Sequence, residues 1–398
     1  MTIFEQFGVR TIVNAKGPAT RLSGGIMRPE VAAAMAAASR HCVDMAELQA
    51  AASARIAAAT GAEAGYVASG AAACLLLATA ACVAGFDPSR MARLPDTRGL
   101  KNEVVMVRSQ RNFYDHAVRA AGVTIVEVGL PDRYSGAGVR DAEAWEIADA
   151  ISERTAAVFY VADRNARPPL AEVVRVAHAA SVPVIVDAAA QLPPQANLKR
   201  FIAAGADLVA FSGGKALGGP QASGILCGKR DLIMSAALQH LDLDIFWEQW
   251  EPPPTLIDKQ RLKGAPQHGI GRTCKAGKEE IVGLLTALDL FVAEGDTARH
   301  ARWLADAKII HAGLSGIKGT SANLEGADDI AEVPAVMLQL GGAANSAMEL
   351  ITSLQRASPP IHADPGLVDR NIVGFNPMCL APDDAEKVIK GVRALMGL

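Results

Sequence analysis

Cysteine is scarce in this chain of 398 residues: Cys42, Cys74, Cys82, Cys227, Cys274 and Cys379 are the six, and none forms a C-x-x-C pair. Their spacings match no zinc template and no disulfide framework, so neither a metal site nor a stapled secreted fold is expected. Scattered thiols suit a reducing compartment. Cys274 stands apart because Arg272, Lys275 and Lys278 are near it in sequence, and cations lower a thiol pKa. An excess of one charge is missing as well. The formal net charge is −3, with no basic stripe, acidic tail or long block of like charge. That excludes a general affinity for nucleic acid. No apolar run reads as a membrane span. The most apolar window, Val67–Phe86, is rich in Ala and carries Gly and Ser, which reads as buried helix. The opening MTIFEQFGVRTIVNAKG lacks the apolar core of a signal peptide, so a cytoplasmic location with no membrane partner is expected. What is present is ordinary globular material. Half the residues (50%) are hydrophobic and 20% are charged, over a length that suits two domains.

The middle of the chain alternates short β-like runs with Ala-rich helical runs. Strands are expected at Val104–Val107, Thr124–Val128, Ala156–Val161, Val182–Val186, Leu208–Phe211 and Ile225–Gly228. Helices are expected between them, through Ala117–Ala121, Asp141–Ser152, Leu170–Ala180 and Asn197–Ala204. Continuous apolar strands separated by helices indicate an α/β fold with a mostly parallel sheet covered on both faces. Pro252–Pro254 and the polar stretch to Gly271 break the rhythm and mark a domain boundary. Beyond it a long helix is expected over Lys278–Glu294, continuing through Thr297–Leu314. The remainder reads as a small α+β domain: strand Ala335–Leu340, helix Ala344–Leu354, strands near Ile361 and at Ile372–Phe375, and helix Pro382–Met396.

In an open α/β sheet, ligands sit at the carboxyl ends of the strands, so the residues just after each strand carry the chemistry. Tyr66–Val67 runs into Ser69-Gly70-Ala71-Ala72-Ala73, where an apolar helix begins. Small residues let a backbone approach an anion, Ser69 is placed to cap the helix, and the first N–H groups with the helix dipole favour phosphate. On its own, Ser-Gly before a helix is equally an ordinary cap. Val184-Ile185-Val186-Asp187 puts a carboxylate at the tip of a buried strand, where it needs a cationic partner. The protonated pyridine nitrogen of pyridoxal 5′-phosphate (PLP) is one such partner; a cap for Ala188–Gln191 is the alternative. Phe211-Ser212-Gly213-Gly214-Lys215 follows the next strand, then Gly218-Gly219-Pro220. A lysine amid four glycines sits on a tight loop, and lysine forms Schiff bases when burial lowers its pKa. Ser212 offers a hydroxyl to a phosphate. A surface lysine in a turn is the alternative. The P-loop pattern does not apply, because Ala216 stands where a magnesium-binding hydroxyl is required. Phosphate cradle, strand-tip acid, then lysine is the order used by large-fold aminotransferase-like PLP enzymes. His116, with Tyr114 close behind, is the candidate to stack on the cofactor ring; a helix start with core aromatics is the alternative.

The chain resembles the selenocysteine synthase-like branch of fold type I PLP enzymes, and is most similar to the D-glucosaminate-6-phosphate ammonia-lyase subgroup. The resemblance is carried by Gly61–Ala64 through Ser69–Ala73, Val186–Ala190, Gly205–Leu208 to Phe211–Lys215, and Gly218–Gly224. Val43–Gln49 and Lys275–Glu280 fit as well. It implies a large domain with a seven-stranded-type, mostly parallel sheet over 51–255 and a small α+β domain over 256–398. Residues 1–50 would form an N-terminal segment packing on the small domain and active site. It implies Lys215 as the Schiff-base lysine and Asp187 as the pyridinium partner. Ser69, Gly70, Ala71, Ala72 and Ser212 are implied as phosphate ligands, with His116 and Gln191 also beside the cofactor. The assembly implied is a homodimer or higher homo-oligomer with shared active sites. Relatives tend to carry a D-x-R-type segment near the C-terminus; here the stretch is Asn376-Pro377-Met378-Cys379, with Arg370 or Arg272 as substitutes. Tyr114, Arg272, Lys275 and Arg370 are the substrate-side candidates, Lys278 adding to the basic group. The missing RNA-binding region and basic surface argue against selenocysteine synthesis on tRNA. The expected activity is a PLP-dependent lyase. It abstracts the α-proton of a small amino acid or amino sugar acid and eliminates a β-substituent, releasing ammonia. Aminotransferase, aldolase, racemase and inert PLP-binding protein are the alternatives.

Overall fold

A computed structural model describes residues 2–130, 141–341 and 346–398. Two compact units make up the chain. The larger is Pro29–Leu192 with Ala196–Asp289; the smaller is Met1–Arg28 with Pro193–Gln195 and Leu290–Leu398. These bounds differ from those read from sequence, because 29–50 and 256–289 pack within the larger unit. The physical reason is hydrogen bonding: Gln49 binds the main chain of Val67, and Arg272 binds that of His240.

In chain order the strands are β1 (Val13–Ala15); β2 (Ala64–Ala68), β3 (Glu103–Val107), β4 (Thr124–Val128), β5 (Thr155–Val161), β6 (Val184–Asp187), β7 (Leu208–Ser212) and β8 (Gly224–Gly228); then β9 (Thr320–Glu325), β10 (Ala335–Leu340), β11 (Ile361–Ala363) and β12 (Ile372–Phe375). The larger unit holds a seven-stranded sheet in the order β2-β8-β7-β6-β5-β3-β4. Its pairs are parallel except for β8, which runs against both β2 and β7. Apolar runs such as VIVD and EVVMV are buried on both faces, as a parallel sheet under two helical layers requires.

The edges are handled differently. Strand β4 is partly exposed. On β2, Gln49 acts as a substitute strand: its amide donates to Val67 O at 2.8 Å and accepts from Val67 N at 3.1 Å. Gln49 sits on the helix Met45–Thr60 and is fully buried. Its side chain satisfies the outward main-chain groups of Val67 on this edge strand. Gly65 is needed beneath it, since a Cβ there would collide with Ile56.

The helix Ala71–Ala84 is buried along most of its length beyond the first turn, with Leu75 and Leu77 at 1% and 0% exposure. It shares one apolar core with the helix Arg230–His240 and one face of the sheet. Each such leucine contributes roughly 1.5–3 kcal/mol. In the smaller unit, β12-β10-β9 form an antiparallel sheet, and β1 pairs in parallel with β11. The long helical run Lys278–Leu314 is broken at Gly295 (φ 71°, ψ 168°), within the expected gap between Glu294 and Thr297. The helix expected over Ala344–Leu354 runs over Ala347–Arg356, and the expected start at Ala344 lies outside the described residues.

Candidate active site

Register brings the candidate residues to one edge of the sheet. Ala68 of β2 pairs with Gly224 of β8, which pairs with Ser212 of β7. One strand further, Asp187 of β6 pairs with Ala210 of β7. The segments that leave β2, β6 and β7 therefore emerge together at the strands' carboxyl ends. Strand β3 lies between β4 and β5, so the connections leaving β3 and β5 run in opposite directions across the sheet, the place where open α/β sheets bind ligands.

Gly70, at φ +132°, is the N-cap of the helix Ala71–Ala84, and no side chain caps it. The expectation that Ser69 caps this helix does not hold. Ser69 precedes the cap, and its N–H donates to Cys274 O at 3.4 Å. The first-turn N–H groups at Ala71 and Ala72 are thus left to a ligand or to water. Backbone fits closely behind the turn: a Cβ on Gly224 would sit 2.7 Å from Ala71 N.

Asp187 ends β6 at 9% exposure. Burial pushes its pKa above the usual carboxylate value, opposed by the N–H of Ala189, 3.0 Å from Oδ1, and by the charge of Lys215. Ala188–Gln191 is a turn and not a helix, so a helix cap does not account for this carboxylate. Lys215 is half-buried. Burial lowers its ammonium pKa, and Asp187 opposes that shift. Its loop is closed by Gly213 N to Ser223 O (2.8 Å), Gly219 N to Gly213 O (2.9 Å) and Gly218 N to Lys215 O (2.9 Å). Gly218 has a positive φ of 71°, and a Cβ on Gly214 would collide with Gln221.

Other candidates divide. Ser212 is half-buried at the end of β7. Gln191 is half-buried in the turn after Asp187, its carbonyl accepting from Asn197 Nδ2 at 2.7 Å. His116 and Tyr114 are exposed around the start of the short helix Asp115–Arg119; His116 Nδ1 accepts from Arg119 Nη2 at 3.0 Å. Arg272 and Lys275 line a cleft of about 810 Å³ together with Ser69, Asp44, His240 and Trp250. Asp187 and Lys215 are not among its lining residues. Arg272 is already engaged, by Asp242 Oδ2 at 3.0 Å and His240 O at 3.1 Å. Lys275 is exposed, with no ion pair among the described residues. Lys278 pairs with Glu279 instead of joining the cleft. Arg370 is an exposed residue of the smaller unit. Among the described residues no group of three His, Cys, Asp or Glu side chains is arranged to hold a metal. No described helix is long and apolar enough to cross a membrane. Sequence reasoning missed His240, Asp242 and Trp250, because they belong to no motif and join Arg272 at the cleft only through the fold.

Residues 44–244 match the model of the family described as SelA: L-seryl-tRNA selenium transferase. A Streptomyces protein named 5′-C-glycyluridine monooxygenase-decarboxylase is 32% identical over 405 residues, covering 99% of this chain and 92% of the relative. The chain belongs to the SelA family. A D-glucosaminate-6-phosphate ammonia lyase from Salmonella typhimurium (strain 14028s / SGSC 2262) is 32% identical over 331 residues, covering 81% of this chain and 78% of the relative. A solved structure titled as D-glucosaminate-6-phosphate ammonia-lyase superposes with a TM-score of 0.81 at 28% identity, covering 100% of this chain and 98% of that one. The fold is that of fold type I PLP enzymes, and the chain is an enzyme of this PLP-dependent group. The residues fit that cofactor. An uncapped helix N-terminus suits its phosphate, a buried carboxylate its protonated ring nitrogen, and a half-buried lysine with a lowered pKa its aldehyde.

Proposed function

We propose that this enzyme is a carbon–nitrogen lyase acting on an α-amino acid with a sugar-derived side chain, and that Lys215 and Asp187 carry the reaction. One observation carries the reading: Asp187 closes β6 and Lys215 follows the end of β7 at the same carboxyl edge of the sheet, the first 9% exposed and the second half-buried. Ala71 and Ala72 N–H groups, with Ser212, would hold the cofactor phosphate, and Asp187 would hold a proton on the ring nitrogen. When bound, PLP supplies an electron sink for charge left on the substrate's α-carbon. Lys215 is the base. Its lowered pKa keeps more of the amine neutral near neutral pH than on an exposed lysine, so it accepts the α-proton. The β-hydroxyl leaves as water with the proton that Lys215 removed, and one water then hydrolyses the resulting enamine, through its imine form, to a 2-keto acid and ammonia.

The cleft beside Ser69 supports the substrate class. At about 810 Å³ it exceeds what a small amino acid fills, and the exposed Lys275, with no ion pair among the described residues, suits a distal anion. Both named relatives act on sugar-derived amino acids, by the words of their names. A small molecule fits better than a tRNA, given a formal net charge of −3. Phe113 and Phe246, 91% and 74% exposed on the larger unit, support a dimer or larger assembly as the working form. Six free cysteines fit a cytoplasmic setting.

A second reading has its own support: the Streptomyces relative, aligned over 99% of this chain, is named a monooxygenase-decarboxylase. The test is a panel of D- and L-amino acids and amino sugar acids, assayed for keto acid, ammonia and CO₂ with and without O₂. Ammonia and keto acid in equal amounts without O₂ are expected. CO₂ release that requires O₂ would favour the second reading, and transfer of the amino group to an added keto acid would refute both.

A further inference from the structure

His240 closes the helix Arg230–His240 and is 3% exposed. Both ring nitrogens are engaged. Nε2 lies 2.8 Å from Cys274 O, and Nδ1 lies 2.9 Å from the Tyr66 hydroxyl. A carbonyl oxygen has no hydrogen to give, so Nε2 carries the proton and donates. Nδ1 of the neutral ring is then an acceptor, and the Tyr66 hydroxyl donates to it. Burial favours the neutral ring, and the Arg272 charge adds to that, against the pull of the Cys274 carbonyl. The two rings also meet edge to face, centroids 5.2 Å apart.

The Cys274 carbonyl has a second donor, the N–H of Ser69 at 3.4 Å. Ser69 is the residue before the cap of the helix Ala71–Ala84. The His240 carbonyl in turn accepts from Arg272 Nη1 at 3.1 Å. One side chain therefore joins strand β2, the turn that opens the uncapped helix, and the segment that carries Arg272 and Lys275.

We infer that His240 is a positioning residue: its Nε2–H, through the Cys274 carbonyl shared with Ser69 N–H, fixes the Ser69–Ala72 turn in the place from which the helix N-terminus binds the cofactor phosphate. This rests on the reading that the phosphate binds at that helix. The carbonyl would otherwise be held by a single long hydrogen bond, and the turn would be free to drift from its seat against Gly224.

The test separates phosphate from ring. The cofactor-free full chain is titrated with PLP and with pyridoxal, which lacks the phosphate, and binding is followed by visible absorbance. His240→Asn keeps a polar group near the Nδ1 position but does not reach Cys274 O; His240→Gln does reach it. H240N is expected to weaken PLP about 10-fold, the size of one buried hydrogen bond, and to leave pyridoxal unchanged. H240Q is expected to restore most of the PLP affinity. Equal weakening of both ligands, or no weakening of PLP, would overturn the proposal. If H240N proves insoluble, Tyr66→Phe decides. It deletes only the Nδ1 contact, so the PLP-to-pyridoxal affinity ratio is expected to stay at the wild-type value, and a lowered ratio would overturn the proposal. Wild-type chain that binds neither ligand would refute the cofactor reading itself, and the proposal with it.

Discussion

Gly224→Ala adds one methyl group where β8 backs the phosphate turn. The added Cβ would lie 2.7 Å from Ala71 N and closer still to the Gly70 carbonyl carbon, both of them backbone atoms that no side-chain rotation can move aside. To regain an ordinary 3.4 Å contact, the Gly70–Ala71 turn must retreat by about an ångström. Hydrogen bonds to a phosphate held at about 2.8 Å do not survive such a shift. Loss of one of these charge-assisted bonds costs about 1.5–3 kcal/mol, so PLP affinity should fall roughly 10- to 150-fold. The overpacking itself should cost about 1–3 kcal/mol of stability. The assay is a titration of cofactor-free protein with PLP by absorbance, with urea unfolding of the same sample to correct for stability. A G224A variant that folds and binds PLP as tightly as wild type would refute the placement of the phosphate at this turn.

The remaining expectations concern three other side chains. The pKa of Asp187 is raised in the folded chain, so its contribution to stability is present below the unfolded value of 3.8 and lost as pH rises through the folded one. Asp187→Asn should therefore stabilise the cofactor-free protein at pH 7, with the gain vanishing below about pH 4; melting curves at the two pH values check this. The same variant should still bind PLP but turn over poorly, and full activity would remove Asp187 from the mechanism. Gln49→Ala strips both hydrogen bonds from the buried main chain of Val67 and should cost about 2–5 kcal/mol in urea unfolding. Lys275→Ala should raise KM for an anionic substrate about tenfold with kcat little changed, because an exposed cation at the cleft binds ground and transition states alike.

The sheet was legible because its strands are the buried, apolar kind that a parallel sheet demands. Val104–Val107, Thr124–Val128 and Leu208–Phe211 fall within or on the observed strands. Strand β9, Thr320–Glu325, was not legible: TSANLE alternates between half-buried and exposed positions and holds few β-formers, so pairing with β10 makes it a strand. Helix Met45–Thr60 escaped notice because its Ala-rich sequence gives little amphipathic signal, although Asp44 caps it by accepting from Ala46 and Glu47. At the site, Asp187 and Lys215 were readable because a strand-tip acid and a lysine between glycines are costly choices for structure alone. Ser69 was misread as a cap, since Gly70 can adopt φ +132° and take that position. The Tyr66–His240–Cys274 chain could not have been read at all. Its members are 174 and 34 residues apart, and ordinary core residues look the same until the fold brings them together.

The most direct measurement is borohydride reduction of the PLP-loaded protein, followed by peptide mapping in a mass spectrometer. A single reduced pyridoxyl phosphate adduct on the peptide containing Lys215, absent from Lys215→Ala, is expected. An adduct on another lysine, or a loaded protein that takes up no label, would contradict the assignment on which the proposed chemistry depends.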